Sequence, residues 1–218
     1  YVKQYPNADN IDEARGLIAR TLYYSNEFQE ALAYFKASGM RDEETRIAYQ
    51  RTNLYYGLKL FEQGKVDSAE LFVEEAAHMK ANQKLFQSAN FWYGEVLFRQ
   101  KEYLQAAKAY NTFLSSKDAQ KHEYYANTLL GLGWCHFRLE HYSTALEKFQ
   151  QIIRMNSVQQ SKPAVYEQAL IRAGDCAFKQ KNYPTAKSYY KRAVSMGGAN
   201  QAYALYQNGI TLARQSNY

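Results

Sequence analysis

Four histidines, His78, His122, His136 and His141, and two cysteines, Cys135 and Cys176, are the side chains here best suited to covalent or metal chemistry. No histidine stands three or four residues from another histidine or from a cysteine, the spacing that puts two ligands on one helical face, so no metal site is expected. Cys135 and His136 are adjacent, which on a helix turns them about 100° apart, and no third residue is marked to orient a Cys-His pair. Asp175-Cys176 has the same weakness. The sequence contains no phosphate-binding glycine loop, nucleophile elbow or paired-histidine helix, so it reads as non-enzymatic and without a cofactor. The chemistry left is non-covalent recognition. An aromatic residue is followed by a basic one at Phe98-Arg99, Phe137-Arg138 and Phe178-Lys179, and Ala213-Arg214 keeps the basic member. Buried aromatic anchors carry binding energy, and charges at their rim set association rate and salt dependence.

These pairs fall in register with a repeat. Small residues recur as Ala19, Gly57, Gly94, Gly133, Gly174 and Gly209, at intervals of 38, 37, 39, 41 and 35. Twelve residues after each of the first five stand Ala31, Ala69, Ala106, Ala145 and Ala186, and four further on Phe35, Val73, Tyr110, Phe149 and Tyr190. A large apolar residue, Phe28, Val66, Tyr103, Tyr142 or Tyr183, lies three before each alanine. Between Asn90 and Leu114, apolar residues recur at three and four on either side of the polar Gln100-Lys101-Glu102, the pattern of two amphipathic helices joined by a short turn. Such helices are antiparallel neighbours, and small residues let them approach. A glycine within a helix costs about 1 kcal/mol relative to alanine, so packing must require the column. Relative to each glycine, positions −4, −1, 0 and +3 face the partner helix, which leaves −3, +1 and +4 as a separate stripe expected to face inward. That stripe contains Phe91, Trp134, Phe98, Phe137 and Phe178, with Arg99, Arg138, Lys179 and Arg214 beside it. These nine residues are the candidate partner-binding groove.

The period and the small-aromatic spacing, best displayed by Leu132-Gly133 with Ala145 and Phe149, resemble the tetratricopeptide repeat (TPR). The resemblance covers essentially the whole chain. It departs from the family at the signature tryptophan, replaced by Arg15, Asn53, Asn90, Leu129 and Leu170, and the terminal proline is missing throughout. It implies an all-α fold, a right-handed α-α superhelix of five helical hairpins plus one further helix, whose inner helices line a concave groove. Protein or peptide binding is the activity it implies. TPR units also carry an aromatic and then a lysine at the two groove positions for packing and solubility, so a purely structural role for the row stands beside the binding one. Some TPR grooves hold a terminal carboxylate with lysine and asparagine at −3 and +1, where this chain has Leu54, Leu58, Phe91, Glu95, Leu130 and Trp134, so that clamp is not expected. The stretch Tyr5-Pro6-Asn7 with Asp12-Glu13-Ala14-Arg15 resembles junctions in bacterial cell-envelope TPR proteins, which favours a periplasmic or outer-membrane-associated setting and leaves a cytoplasmic one open.

Composition agrees with a repeat array. The 46% hydrophobic share argues against general disorder, and charge interrupts every apolar run before it could span a membrane. A net charge of +6 with no run of five basic residues favours acidic partners without pointing to nucleic acid. The 21 tyrosines suit thin two-layer packing, where a ring is buried and its hydroxyl stays wet. Cys135 and Cys176 each sit two after a column glycine, a small buried position in neighbouring repeats; inner helices about 8–10 Å apart are too distant for a disulfide. The expected units are 11–38, 42–80, 83–116, 119–155 and 163–196, with a half unit at 200–215. Asp42, Asn82, Asp118 and Asn200 are expected helix caps, Gly39 a helix terminator, and 156–162 a loop. Tyr1 to Gln4 falls in register as the tail of an earlier helix and Tyr218 as the start of a later one, so an excerpt of a longer array, able to self-associate through its ends, is a further expectation.

Overall fold

The computed structural model describes residues 2–216, and Tyr1 and Tyr218 lie outside the described residues. Two of the first helices start at a side-chain cap. α1 (Ile11–Tyr24) and α2 (Phe28–Ala37) are followed by Gly39 at φ +69°, then by α3 (Glu43–Glu62), whose cap Asp42 accepts the Thr45 N–H at 2.7 Å. α4 (Val66–His78) leads to α5 (Gln83–Arg99), capped by Asn82, which accepts the Leu85 N–H at 3.0 Å. Next come α6 (Tyr103–Leu114), α7 (Tyr125–Arg138) and α8 (Tyr142–Ile153). α9 (Asn156–Ser161), α10 (Pro163–Lys179), α11 (Tyr183–Met196) and α12 (Gln201–Ser216) complete the described helices. Pro163 and Pro184 sit in first turns, where no backbone donor is lost.

The chain divides into two compact units, residues 1–100 and 101–218. In unit 1, α1 packs on α2, α3 on α4 and α4 on α5; in unit 2, α6 packs on α7, α7 on α8, α8 on α10, α10 on α11 and α11 on α12. First helices of successive repeats also touch, α1 with α3, α3 with α5, and α7 with α10.

The small columns are explained by what they face. The alanines Ala31, Ala69, Ala106, Ala145 and Ala186 are fully buried, as are Phe35, Val73, Tyr110, Phe149 and Tyr190. A Cβ on Gly57, Gly133 or Gly174 would come within 2.4 Å of Val73, 2.5 Å of Phe149 or 2.6 Å of Tyr190, the residue sixteen positions on in each case. Gly209 has open space instead.

The turns inside the repeats share one geometry. Asn26, Gly64, Lys101, Glu140 and Lys181, each two before an apolar anchor, have φ between 60° and 76°. At Asn26, Gly64, Glu140 and Lys181 the backbone closes a Schellman motif, as where Asn26 N–H donates to Tyr23 O and Glu27 N–H to Leu22 O at 3.1 and 2.9 Å. The anchors Phe28, Val66, Tyr103, Tyr142 and Tyr183 are each the first residue of their helix.

Between repeats, a polar residue seven before the column position secures the start of the next first helix. Gln50 is fully buried; its Nε2 donates to Ala76 O and Met79 O at 3.1 and 2.6 Å, and its Oε1 accepts the Asn82 N–H at 3.0 Å. In the same register Glu167 accepts the N–H and side-chain amide of Asn200 at 3.1 and 3.2 Å, and Asp12 pairs with Arg41 at 3.1 Å. Ala126 occupies that register in the fourth repeat, and there Lys162 reaches across to Asn127 Oδ1 at 3.0 Å.

Two expectations are corrected. Asp118 does not cap α7: it adopts φ 57°, pairs with Lys121 at 2.8 Å and opens a 3-10 turn over Ala119–Lys121, so α7 starts only at Tyr125. Residues 156–162 are not a loop, because Val158 is buried and turns most of them into α9.

Candidate functional site

The first helices carry the predicted stripe, but its three rows differ in burial. In the −3 row Leu54, Phe91 and Ile171 are core, at 3%, 5% and 1% exposed, while Leu130 is half-buried and Tyr206 exposed. Phe91 thus offers almost no surface to a partner. The +4 row is half-buried and closes the turns, with Tyr23 edge-on to Phe28 at 5.9 Å, Phe137 to Tyr142 at 5.4 Å and Phe178 to Tyr183 at 5.5 Å. The Schellman turn produces this contact, because it folds the next anchor back onto the last helical turn. Phe98 is half-buried and Arg99 exposed, in unit 1, where the Arg99 guanidinium lies 5.7 Å from the Phe61 ring. Lys179 and Arg214 are exposed.

In unit 2 the +1 row builds a connected arrangement. The Arg138 guanidinium lies over the Trp134 ring at 5.6 Å, and Arg172 lies over the same ring at 4.4 Å and over Tyr203 at 5.1 Å. Phe137 stands edge-on to Trp134 at 5.8 Å. One ladder of aromatic and cationic groups therefore joins α7, α10 and α12.

Asp175 holds the ladder from behind. It is 7% exposed and ion-paired with Arg172, one helical turn earlier; it also accepts the Tyr190 hydroxyl at 2.7 Å and the Tyr203 hydroxyl at 3.2 Å. Burial first, and the Asp175 charge second, push the Tyr190 and Tyr203 phenols up, so both remain donors at neutral pH. With these donors engaged, Asp175 positions Arg172 and Tyr203 and has no free oxygen facing a reacting group. Arg138 makes no ion pair among the described residues.

Other reactive side chains are occupied by packing. Cys135 and Cys176 are buried thiols, and burial, with Asp175 next, pushes Cys176 up to about 12, far from a nucleophilic thiolate. His136 and His141 approach with ring centroids 6.0 Å apart, and among the described residues no group of three His, Cys, Asp or Glu could hold a metal. No helix among the described residues is long and apolar enough to cross a membrane.

Sequence reasoning found Trp134, Phe137 and Arg138 together and missed Arg172, Asp175 as its support, and Tyr203. The available signal was Arg172 three before Asp175, a spacing that aligns charges on one helical face.

Residues 85–157 and 130–206 each match a family model of the tetratricopeptide repeat. No curated protein matches the sequence. Among solved structures the chain is similar to PilW, described as a widely conserved type IV pilus biogenesis factor, at 15% identity and TM-score 0.60, over 96% of this chain and 88% of that one. It is also similar to YrrB, described as a TPR protein with an unusual peptide-binding site, at 18% identity and TM-score 0.59, over 94% and 95%. MamA from Desulfovibrio magneticus RS-1 aligns at 16% identity and TM-score 0.56, over 87% of this chain and 96% of that one. At these identities the likeness is one of fold.

Proposed function

This chain belongs to the tetratricopeptide repeat family, and from that premise we propose that it is a non-catalytic scaffold gripping a segment of a partner protein on the first-helix face of unit 2. The observation that carries the reading is the ladder of Arg138, Trp134, Arg172 and Tyr203, with Arg138 in no ion pair among the described residues. Trp134 is the anchor; Arg138, Lys179 and Arg214 attract an acidic segment. Phe98 and Arg99 offer the same pair of groups in unit 1. A peptide ligand accords with the description of YrrB, and an assembly role at the cell envelope with that of PilW.

Once a partner is captured with the wild-type chain, the charge contribution is read from association kinetics. Arg138→Gln with Lys179→Gln should slow association and flatten its salt dependence while dissociation changes little, as rim charges do. Unchanged kinetics at low salt would remove the basic row from the interface.

Self-association is the second reading, favoured by α12, where Leu205 and Tyr206 are 52% and 66% exposed and Gly209 faces open space. Sedimentation at rising concentration should then show a dimer that Tyr206→Lys dissolves. A monomer throughout would exclude it.

A further inference from the structure

Unit 1 contains a recessed site that the aromatic-basic rows do not predict. A cavity of about 270 Å³ lies among α1, α2 and α3. Tyr23, Ile47 and Ala48, all half-buried, contribute its apolar surface, and fully buried Phe35 lies behind them. Sites for drug-sized molecules run from about 300 to 1,000 Å³, so this one is the size for a single large side chain.

Its charge is unbalanced. Arg20 and Glu44 line the cavity and neutralise each other in an ion pair of 2.7 Å. Arg51 lines it too and makes no ion pair among the described residues. A guanidinium beside an apolar wall selects a carboxylate attached to something apolar, because its planar fork donates to two carboxylate oxygens at once.

We propose that this cavity is a docking subsite for an acidic-aromatic segment of a partner protein: one aromatic side chain enters against Tyr23, Ile47 and Ala48, and Arg51 pairs with the side-chain carboxylate of the neighbouring Asp or Glu. The site consists of unit 1 residues and does not rest on the Trp134 ladder, so each can fail without the other.

The probe is the tetrapeptide Gly-Glu-Phe-Gly, acetylated and amidated at its ends, titrated into the isotope-labelled 218-residue chain while backbone NMR signals are followed. Saturable shifts should centre on Tyr23, Ile47, Ala48 and Arg51. Binding should weaken about tenfold for the Gly-Gln-Phe-Gly analogue and for Arg51→Gln, the loss of one charge-assisted contact. Ala48→Leu, which fills the cavity and leaves Arg51 in place, should abolish binding; this variant decides the matter if Arg51→Gln misfolds. Absence of saturable shifts, equal binding of the Glu and Gln peptides, or retention of binding by Ala48→Leu would each overturn the proposal. So would tighter binding of acetyl-Gly-Gln-Phe with a free carboxyl end, since the recognised carboxylate would then be a chain terminus.

Discussion

Arg172 does most at the smallest scale. A guanidinium over an aromatic ring is worth about 0.5–1 kcal/mol when exposed and about 2 when desolvated, and Arg172 touches two rings while Asp175 fixes its orientation. Asp175→Ala should therefore loosen the ladder as well as unit 2, with faster motion of the Tyr203 ring by NMR. His136 makes a separate prediction. Burial, then His141 and Lys148, hold its pKa below the ordinary value, and its Nδ1 is buried without a partner among the described residues. The unfolded chain then binds the proton more readily, so the stability from neutral His136 is present above the unfolded pKa of about 6.5 and is lost as pH falls from there towards the folded pKa. Melting temperature should drop more between about pH 7 and pH 5 for the wild type than for His136→Gln; parallel profiles would refute this. At this scale the +1 row was legible because Trp134 interrupts a helical face. Phe91 was misplaced because helical periodicity separates faces of one helix and is silent on which face the next repeat covers.

The element that repeats most faithfully is the left-handed turn. Lys101, Glu140 and Lys181 occupy φ values of 60–68° that suit glycine, at a strain of about 1–2 kcal/mol each. Glu140→Gly should be neutral or stabilise by up to about 1 kcal/mol, because relief of strain outweighs the entropy of a glycine. Glu140→Val should destabilise by at least about 1 kcal/mol, since a β-branched residue fits that region worst. Denaturant midpoints of the two variants check the ordering, and equal midpoints would mean that the turn is not held left-handed. The inter-repeat latch gives a second test at this scale. Gln50→Leu leaves Ala76 O, Met79 O and Asn82 N–H unsatisfied, which should cost about 1–3 kcal/mol by chemical denaturation. The left-handed turns carry no residue-type mark at Lys101, Glu140 and Lys181, but anchors and small columns were readable because each demands a residue type. The latch was not, because Gln50, Glu167 and Asp12 share only a polar end. α9 was hidden too, as six residues give too short a stretch for periodicity to register.

At the scale of the molecule, each helix packs chiefly on its neighbours in sequence, so damage should remain local before it spreads. Ala145 is fully buried on α8, which packs on α7, so a larger side chain there must displace its neighbours. Ala145→Leu should cost about 1–3 kcal/mol, and hydrogen exchange should accelerate first in α7, α8 and α10, later in α1 and α2. A uniform change across the chain would mean one cooperative block instead of a nearest-neighbour array. The central claim is that the first-helix face of unit 2 binds through Trp134, and calorimetric titration of a captured partner tests it most directly. Trp134→Ala should weaken binding by about 2 kcal/mol or more, while Leu104→Ala, which truncates an exposed leucine on α6, should leave affinity unchanged. Equal affinities for the wild type and Trp134→Ala would contradict the account.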